Sequence, residues 1–256
     1  MKDEASKRKV FQEVLILRKT NHRHIIRLLE VFENKKYLFM VLEYAANLDL
    51  LGLVKKKGRL HEDEAKRIFA QITAGIRYCH HTMILHRDVK LDNILLDENW
   101  NVKICDFGVS RFVKKGQIIN EQCGTPAYIA PEIIKEEGYE GCYADIWSMG
   151  VLLFAITTGT VPFKASNLDE LHEAIIKGQF TCPGFLSDDL KDLIHKMIKL
   201  NPYERISIDD IPDHSWLRSR VETEDKFPMN DTKSNSSMER SYKKSSYSLE
   251  QGNTIQ

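Results

Sequence analysis

Between positions 65 and 79 the side chains Ala65, Ile68, Phe69, Ile72, Ile76 and Cys79 return every three or four residues, a spacing that lines them up along one face of a helix. A stripe that apolar has to be laid on a second surface, and any fold assigned to the chain must supply one. The longest apolar run, 146–156, includes Ser148 and falls well short of the ~18 residues that suggest a membrane span, so no bilayer-crossing segment is expected.

At 256 residues the chain has room for one large domain, or for two lobes and a tail. Thirty-seven basic residues balance 37 acidic ones, leaving no global field to recruit nucleic acid or an anionic membrane. Hydrophobic residues at 42% and charged residues at 29% belong to a folded globular chain rather than a disordered or fibrous one. Cys79, Cys105, Cys123, Cys142 and Cys182 are odd in number and form no C-x-x-C pair, which argues against a disulfide framework or a zinc site. Residues 1–9 mix acids with bases and lead into an amphipathic pattern rather than the apolar core of a secretory leader. The expected compartment is reducing, cytoplasmic or nuclear.

Apolar spacing predicts a helix over 10–17 and two strands over 25–32 and 36–41 around the polar turn Glu33-Asn34-Lys35. Lys55-Lys56-Lys57-Gly58 reads as a polar break. Short apolar runs in 84–96 and 102–105, separated by Asp97-Glu98-Asn99, fit hairpin strands, and 144–157 and 186–200 are helical in character. From about position 222 the chain is rich in Ser, Asn, Lys and Glu, with too few large apolar residues to offset ordering entropy.

His86-Arg87-Asp88-Val89-Lys90-Leu91-Asp92-Asn93 has the form H-R-D-x-x-x-x-N, Asp106-Phe107-Gly108 follows, and Ala130-Pro131-Glu132 comes later. Singly, each has an ordinary explanation: Asp106-Phe107-Gly108 fits any turn, and Asp92-Asn93 fits local side-chain caps. In this order they resemble the eukaryotic protein kinases. Gly124-Thr125-Pro126, Asp145-Ile146-Trp147-Ser148-Met149-Gly150 and Arg205 after Asn201-Pro202 agree, and the resemblance covers roughly residues 8–217. The segment 37–44, the run His24-Ile25-Ile26-Arg27-Leu28 and the closing Asp213-His214-Ser215-Trp216 are similar to the calcium/calmodulin-dependent and energy-sensing kinase group.

That resemblance implies an α+β, bilobal protein-kinase-like fold with a truncated N-lobe and a mainly helical C-lobe: a partial N-lobe of one helix and two strands at 1–43, a C-lobe at 44–220 and a disordered polar tail at 221–256. It implies transfer of phosphate from ATP, with Mg2+, to Ser or Thr hydroxyls of a protein substrate, Thr125 lying on a serine/threonine-type substrate shelf. Asp88 would be the base, Asp106 and Asn93 the metal ligands, and Lys90 the counter-charge to the transferred group. Glu132 and Arg205 would be a buried ion pair, and Leu17, Leu28, His86 and Phe107 an apolar column anchored by Asp145. For adenine, Leu95 would lie beneath the base, Leu42 at the gatekeeper position, and the backbone of Glu43 and Ala45 along the hinge.

Three departures stand beside the match. The family's glycine-rich loop and the strand lysine that pairs with the phosphates and a helix glutamate have no counterpart here, although Glu13 matches that glutamate. Lys2, Lys7 and Lys9 precede it in a charged leader and are expected to be solvated. After the hinge, where the family usually has a glycine pair before an acid, this chain has Asn47-Leu48-Asp49. Leu48 would strain that turn if its backbone needs a positive φ. Asp49 is left to bond a ribose or a basic substrate side chain, and with Asp92 it points to basic residues ahead of the acceptor, a pattern two solvated surface acids would share. Glu121 occupies the position where many relatives carry an activating phosphothreonine that pairs with the arginine at the Arg87 position; it reads either as a fixed substitute for that charge or as a solvated loop glutamate.

His22 with His24, and His80 with His81, lack the company of a metal site, and His61-Glu62-Asp63-Glu64-Ala65 fails H-E-x-x-H at its last position. Lys55-Lys56-Lys57, without interleaved aromatics, is a solvated turn rather than a nucleic-acid contact. Three readings remain: a serine/threonine kinase whose first strands are missing from this chain, a pseudokinase-like binding or scaffold module, or an active kinase with a rebuilt N-lobe. The first predicts bare apolar surface where the missing strands would pack. The sequence leaves the oligomeric state open.

Overall fold

Good helix formers run from the first described residue, so the opening helix is longer than its apolar pattern: α1 spans Glu4–Lys19, with Arg18 and Lys19 in the last turn where the helix dipole favours them. The computed structural model describes residues 4–34 and 37–218, and side chains from residue 8 onward; the tail expected over 221–256 lies outside the described residues. Strands β1 (Leu28–Glu33) and β2 (Leu38–Leu42) pair antiparallel with an irregularity between Leu28 and Glu30. Together α1, β1 and β2 make the expected helix-plus-hairpin unit.

The polar break is instead the end of a helix. Asp49 accepts a hydrogen bond from the Gly52 N–H at 2.6 Å and caps α2 (Leu50–Lys57), which Gly58 ends at φ +79. Lys55, Lys56 and Lys57 fill its last turn, and Lys57 pairs with Glu64 at 2.6 Å. Only one and a half turns of weak periodicity precede the lysines, too little for the pattern to declare the helix.

The apolar stripe lies on α3 (Glu62–His81), all six of its residues fully buried. Its partner surfaces are α5 (Gly141–Thr158) and the strand pair formed by β4 (Ile94–Leu96) and β5 (Val102–Ile104). At Gly75 a β-carbon would come within 2.5 Å of Ile104 Cδ1, so glycine lets α3 approach β5 without moving that side chain. Helix α5 is long and apolar enough by composition to cross a membrane, but 78% of it is buried inside the fold; it is a core helix, packed also on α7 (Asp188–Met197).

The apolar run 84–96 is broken rather than continuous. After β3 (Ile84–Leu85), which pairs with β6 (Arg111–Phe112), Arg87 turns at φ +66 and Leu91–Asn93 forms a 3-10 turn before β4. The remaining elements are the pair β7 (Ile118–Ile119) and β8 (Tyr139–Glu140), then α4 (Pro131–Ile134), α6 (Leu168–Lys177) and α8 (Ser215–Arg218). Helices dominate everything after β2. In the N-terminal unit Phe11, Leu15, Leu29, Phe32, Phe39 and Val41 are exposed, and elsewhere Met83, Leu168, Phe185 and Leu200 among others.

Candidate active site

Asp145, on the buried first turns of α5, organises the centre. Its carboxylate accepts the backbone N–H groups of His86 at 3.0 Å and Arg87 at 2.8 Å, and its Oδ2 meets His80 Nε2 at 2.9 Å. Burial alone would raise this carboxyl; the His80 bond, the charges of His80 and His86 and the Arg87 N–H outweigh it and hold it below its ordinary range. His80, 65 residues away in sequence, carries no motif that announces this role. The loop that follows Arg87 is thereby pinned from below.

On that pinned loop Asp88, Lys90 and Asn93 converge with Thr125. Asp88 Oδ1 accepts the Thr125 hydroxyl at 2.8 Å, and Oδ2 receives Lys90 Nζ at 2.8 Å and Asn93 Nδ2 at 3.2 Å. Lys90 Nζ also donates to Thr125 Oγ1 at 2.8 Å. The half-buried carboxylate therefore has both oxygens turned into a small polar cluster. Asn93 spends its amide nitrogen on Asp88, with a further bond to the Asp88 carbonyl at 2.9 Å, and its Oδ1 accepts no hydrogen bond among the described residues.

Asp106 stands exposed at φ +63, with the Gly108 N–H donating to its Oδ1 at 3.2 Å. An exposed carboxylate and an available amide oxygen are hard oxygen donors of the kind Mg2+ takes, so Asp106 and Asn93 fit a divalent cation. Among the described residues no group of three or more His, Cys, Asp or Glu could hold a metal, and all five cysteines are free. Phe107, next in the chain, is fully buried with its ring centroid 4.9 Å from that of His86; Leu17 is buried and Leu28 half-buried in the same core.

Glu13 reaches this place from α1. It is 6% exposed; burial and the nearby Asp106 charge push its carboxyl up to about 7, and the Phe107 N–H pulls back against them. Lys9 is exposed and forms no ion pair among the described residues; Lys2 lies outside them, as does the Lys7 side chain.

The residues read as an adenine floor lie on β2, the segment after it and β4. Leu95 is half-buried on β4, bridged to Asp49, and Leu42 is half-buried at the end of β2. The Glu43 N–H is spent on the Arg27 carbonyl at 2.9 Å and its side chain on Lys103 at 3.0 Å and the Arg27 N–H at 2.8 Å, while Ala45 makes no backbone hydrogen bond among the described residues. One expectation changes. Leu48 is not among the residues at positive φ, which besides glycines are Met83, Arg87, Trp100, Asp106 and Glu136, so the turn adapts to its side chain without that strain. Asp49, read as a ligand-facing acid, spends Oδ1 on capping α2.

Glu121 bridges two guanidinium groups, Arg87 at 3.0 Å and Arg111 at 3.0 Å, and the Tyr139 hydroxyl donates to its backbone carbonyl at 2.9 Å. The Arg87 bond, chiefly, holds its carboxyl below the usual range, ahead of burial, which opposes it, and the Arg111 charge. Arg87 also donates to the Val109 carbonyl at 2.7 Å. Glu132 and Arg205 form a bidentate pair with both contacts at 2.7 Å; Arg205 also bonds the carbonyls of Tyr143 and Lys199 and lies over the Trp147 ring.

Comparison with known proteins adds the family. The sequence pattern described as a protein kinase domain matches residues 1–217. The chain is 40% identical over 217 residues to "Serine/threonine-protein kinase SIK2" of Gallus gallus, a match covering 85% of this chain and 27% of that protein. It is 42% identical over 214 residues to "CBL-interacting protein kinase 11" of Oryza sativa subsp. japonica, covering 82% and 43%. Against "Serine/threonine protein kinase OSK3" of Oryza sativa subsp. indica it is 42% identical over 221 residues, covering 86% and 44%. The chain thus spans less than half the length of these curated relatives.

Proposed function

Because the chain belongs to the protein kinase family, with serine/threonine kinases of the calcium/calmodulin-dependent and energy-sensing group as its relatives, we propose that it transfers the terminal phosphoryl group of ATP to Ser or Thr hydroxyls of a protein substrate. The observation that carries the reading is the convergence on Asp88. Its two oxygens, shared among Thr125, Lys90 and Asn93, form a site where an incoming hydroxyl can replace the Thr125 bond and lose its proton to the carboxylate as it attacks. Lys90, already beside that carboxylate, offsets negative charge on the group in transit. Asp106 and Asn93 would hold Mg2+, which supplies charge neutralisation to the phosphates when bound. Asp92, exposed on the same loop, supports a substrate with basic residues ahead of its acceptor. Glu121 takes the place of a phosphorylated residue in ordering the segment 106–132.

A second reading has its own observation: Glu13 is buried beside Asp106 with no cation against it among the described residues. On that reading the chain is a binding or scaffold module. One experiment separates them: transfer of labelled phosphate from ATP with Mg2+ to a serine peptide carrying upstream arginines, by the full chain and by Asp88→Asn and Asp106→Asn. Transfer that both substitutions abolish supports catalysis. No transfer, with no nucleotide binding by calorimetry, overturns catalysis for this chain and leaves the binding module.

A further inference from the structure

The aim of the Asp88 carboxylate is set by the residue before it. Arg87 sits at φ +66, a left-handed conformation that costs an L side chain energy and persists only where its surroundings impose it. Three bonds impose it: the Arg87 N–H on Asp145 Oδ1 at 2.8 Å, the His86 N–H on Asp145 Oδ2 at 3.0 Å, and Arg87 Nε on the Val109 carbonyl at 2.7 Å. Asp88 follows directly, and its own N–H donates to His86 Nδ1 at 3.3 Å, while His86 Nε2 meets the Cys105 carbonyl at 3.2 Å. The His86 ring therefore carries its proton on Nε2. Asp88 is thus tied on its N-terminal side to two residues that Asp145 holds.

Asp145 can hold both of them only as a carboxylate. A neutral carboxyl carries a proton on one oxygen, and that oxygen would turn a hydrogen toward the N–H it now accepts. The Asp145 side chain is 1% exposed, and burial of this degree favours the neutral form. Two of the groups bonded to it are backbone N–H; the third, and the one side chain, is His80, whose Nε2 lies 2.9 Å from Oδ2. An ionised carboxylate only accepts, so His80 Nε2 is the donor.

We infer that His80, in the last turn of α3, is a positioning residue for phosphoryl transfer. Its Nε2–H keeps Asp145 a carboxylate of fixed orientation, and through Asp145 it keeps Arg87 at positive φ and Asp88 turned to the incoming hydroxyl. The catalytic consequence rests on the proposed function; the placement of the loop rests on the geometry alone.

The position of the donor provides the test. Glutamine sets its amide nitrogen about where Nε2 of histidine lies, asparagine about where Nδ1 lies, and phenylalanine fills the volume with no donor. Phosphate transfer from ATP with Mg2+ to the serine peptide is measured for the full chain and for His80→Gln, His80→Asn and His80→Phe. In His80→Phe and His80→Asn kcat should fall about tenfold to a hundredfold, the worth of one hydrogen bond to a charged group, with KM for ATP and peptide within about twofold. His80→Gln should bring kcat back to within about threefold of the parent. Hydrogen exchange of the His86 and Arg87 amides should quicken in His80→Phe and His80→Asn and stay near the parent in His80→Gln.

Circular dichroism and melting show that each variant folds; should His80→Phe fail, His80→Gln against His80→Asn, both polar, carries the comparison. Equal behaviour of all three variants, or unchanged kcat and amide exchange in His80→Asn, would overturn the inference. Should the parent itself transfer no phosphate, the proposed function fails, and the ranking of amide exchange alone decides whether His80 sets the loop.

Discussion

The two ends of the candidate site are built to different standards. Around Asp88 the charged and polar side chains are closed on one another: Asp145 holds two backbone N–H groups and His80, Arg205 holds Glu132 in two parallel bonds, and Glu121 joins two arginines. Around the buried Glu13 there is a nearby like charge and no cation among the described residues, on a helix whose Phe11 and Leu15 face solvent. The difference teaches where folding energy resides. The helical part pairs the buried charges of Asp145, Glu132 and Arg205 within itself. In the N-terminal unit Glu13 has no counter-charge among the described residues.

The strongest way to break this comparison is to strand a charge in the part that pairs its own. Replacing Glu132 with Ala leaves the Arg205 guanidinium, whose side chain is fully buried, without its carboxylate, and should cost about 3–5 kcal/mol in urea unfolding. Glu132→Gln, which keeps one acceptor, should cost less. A loss under about 1 kcal/mol, the worth of a surface pair, would show that the pair is not what holds this region.

The reverse holds at Glu13, where removing a charge should help. The folded carboxyl titrates at about 7 against an ordinary value of 4.5. A raised acid binds its proton more tightly in the folded state, so its favourable contribution is complete below pH 4.5 and is lost as pH climbs to 7. Glu13→Gln should therefore match the parent at pH 4 and exceed it by roughly 3 kcal/mol at pH 8, at 1.36 kcal/mol per pK unit over a shift of about 2.5 units. A stability difference that is flat between those pH values would mean that Glu13 is charged and paired after all.

Much of this was legible before any coordinates. The stripe of α3 and the order of the motifs around Asp88, Asp106 and Glu132 each rest on short-range spacing, which sequence displays directly. What was hidden depends on distance or on a few residues. His80 meets Asp145 because α3 packs on α5, and nothing local marks it. The helix α2 is eight residues long and half of it is lysine and glycine, so composition reads as a break and only the cap on Asp49 reveals the helix. Arg111 as the second partner of Glu121 depends on β6 pairing with β3, a contact that no spacing encodes.

Asp49 gives a smaller, local test of the boundary between the two regions. Its Oδ1 caps α2 while the residue also bridges to Leu95, so Asp49→Ala should cost about 1 kcal/mol, and Asp49→Asn or Asp49→Ser, which keep a capping oxygen, should recover most of it. Equal losses in all three would assign the cost to the charge rather than to the cap.

The smallest global effect is expected at Glu121, and it is the most discriminating locally. The side chain is 62% exposed, so each of its two ion pairs is worth only about 0.2–1 kcal/mol, and Glu121→Ala should barely move the melting temperature. Yet its partners come from different places: Arg87 belongs to the loop pinned by Asp145, and Arg111 to β6. Losing the carboxylate frees two arginines at once and removes one link between the segment 106–132 and the pinned loop, while Arg87 keeps its bond to the Val109 carbonyl and Thr125 its bond to Asp88. Amide exchange over 106–132 should accelerate about threefold to tenfold, with exchange in α3 and α5 unchanged, since local opening draws on local contacts alone. Glu121→Gln should fall between, retaining hydrogen bonds but not charge. If exchange in that segment is the same in Glu121→Ala as in the parent, Glu121 is a solvated loop residue whose two arginines are incidental, and the segment owes its order to Tyr139 and the backbone.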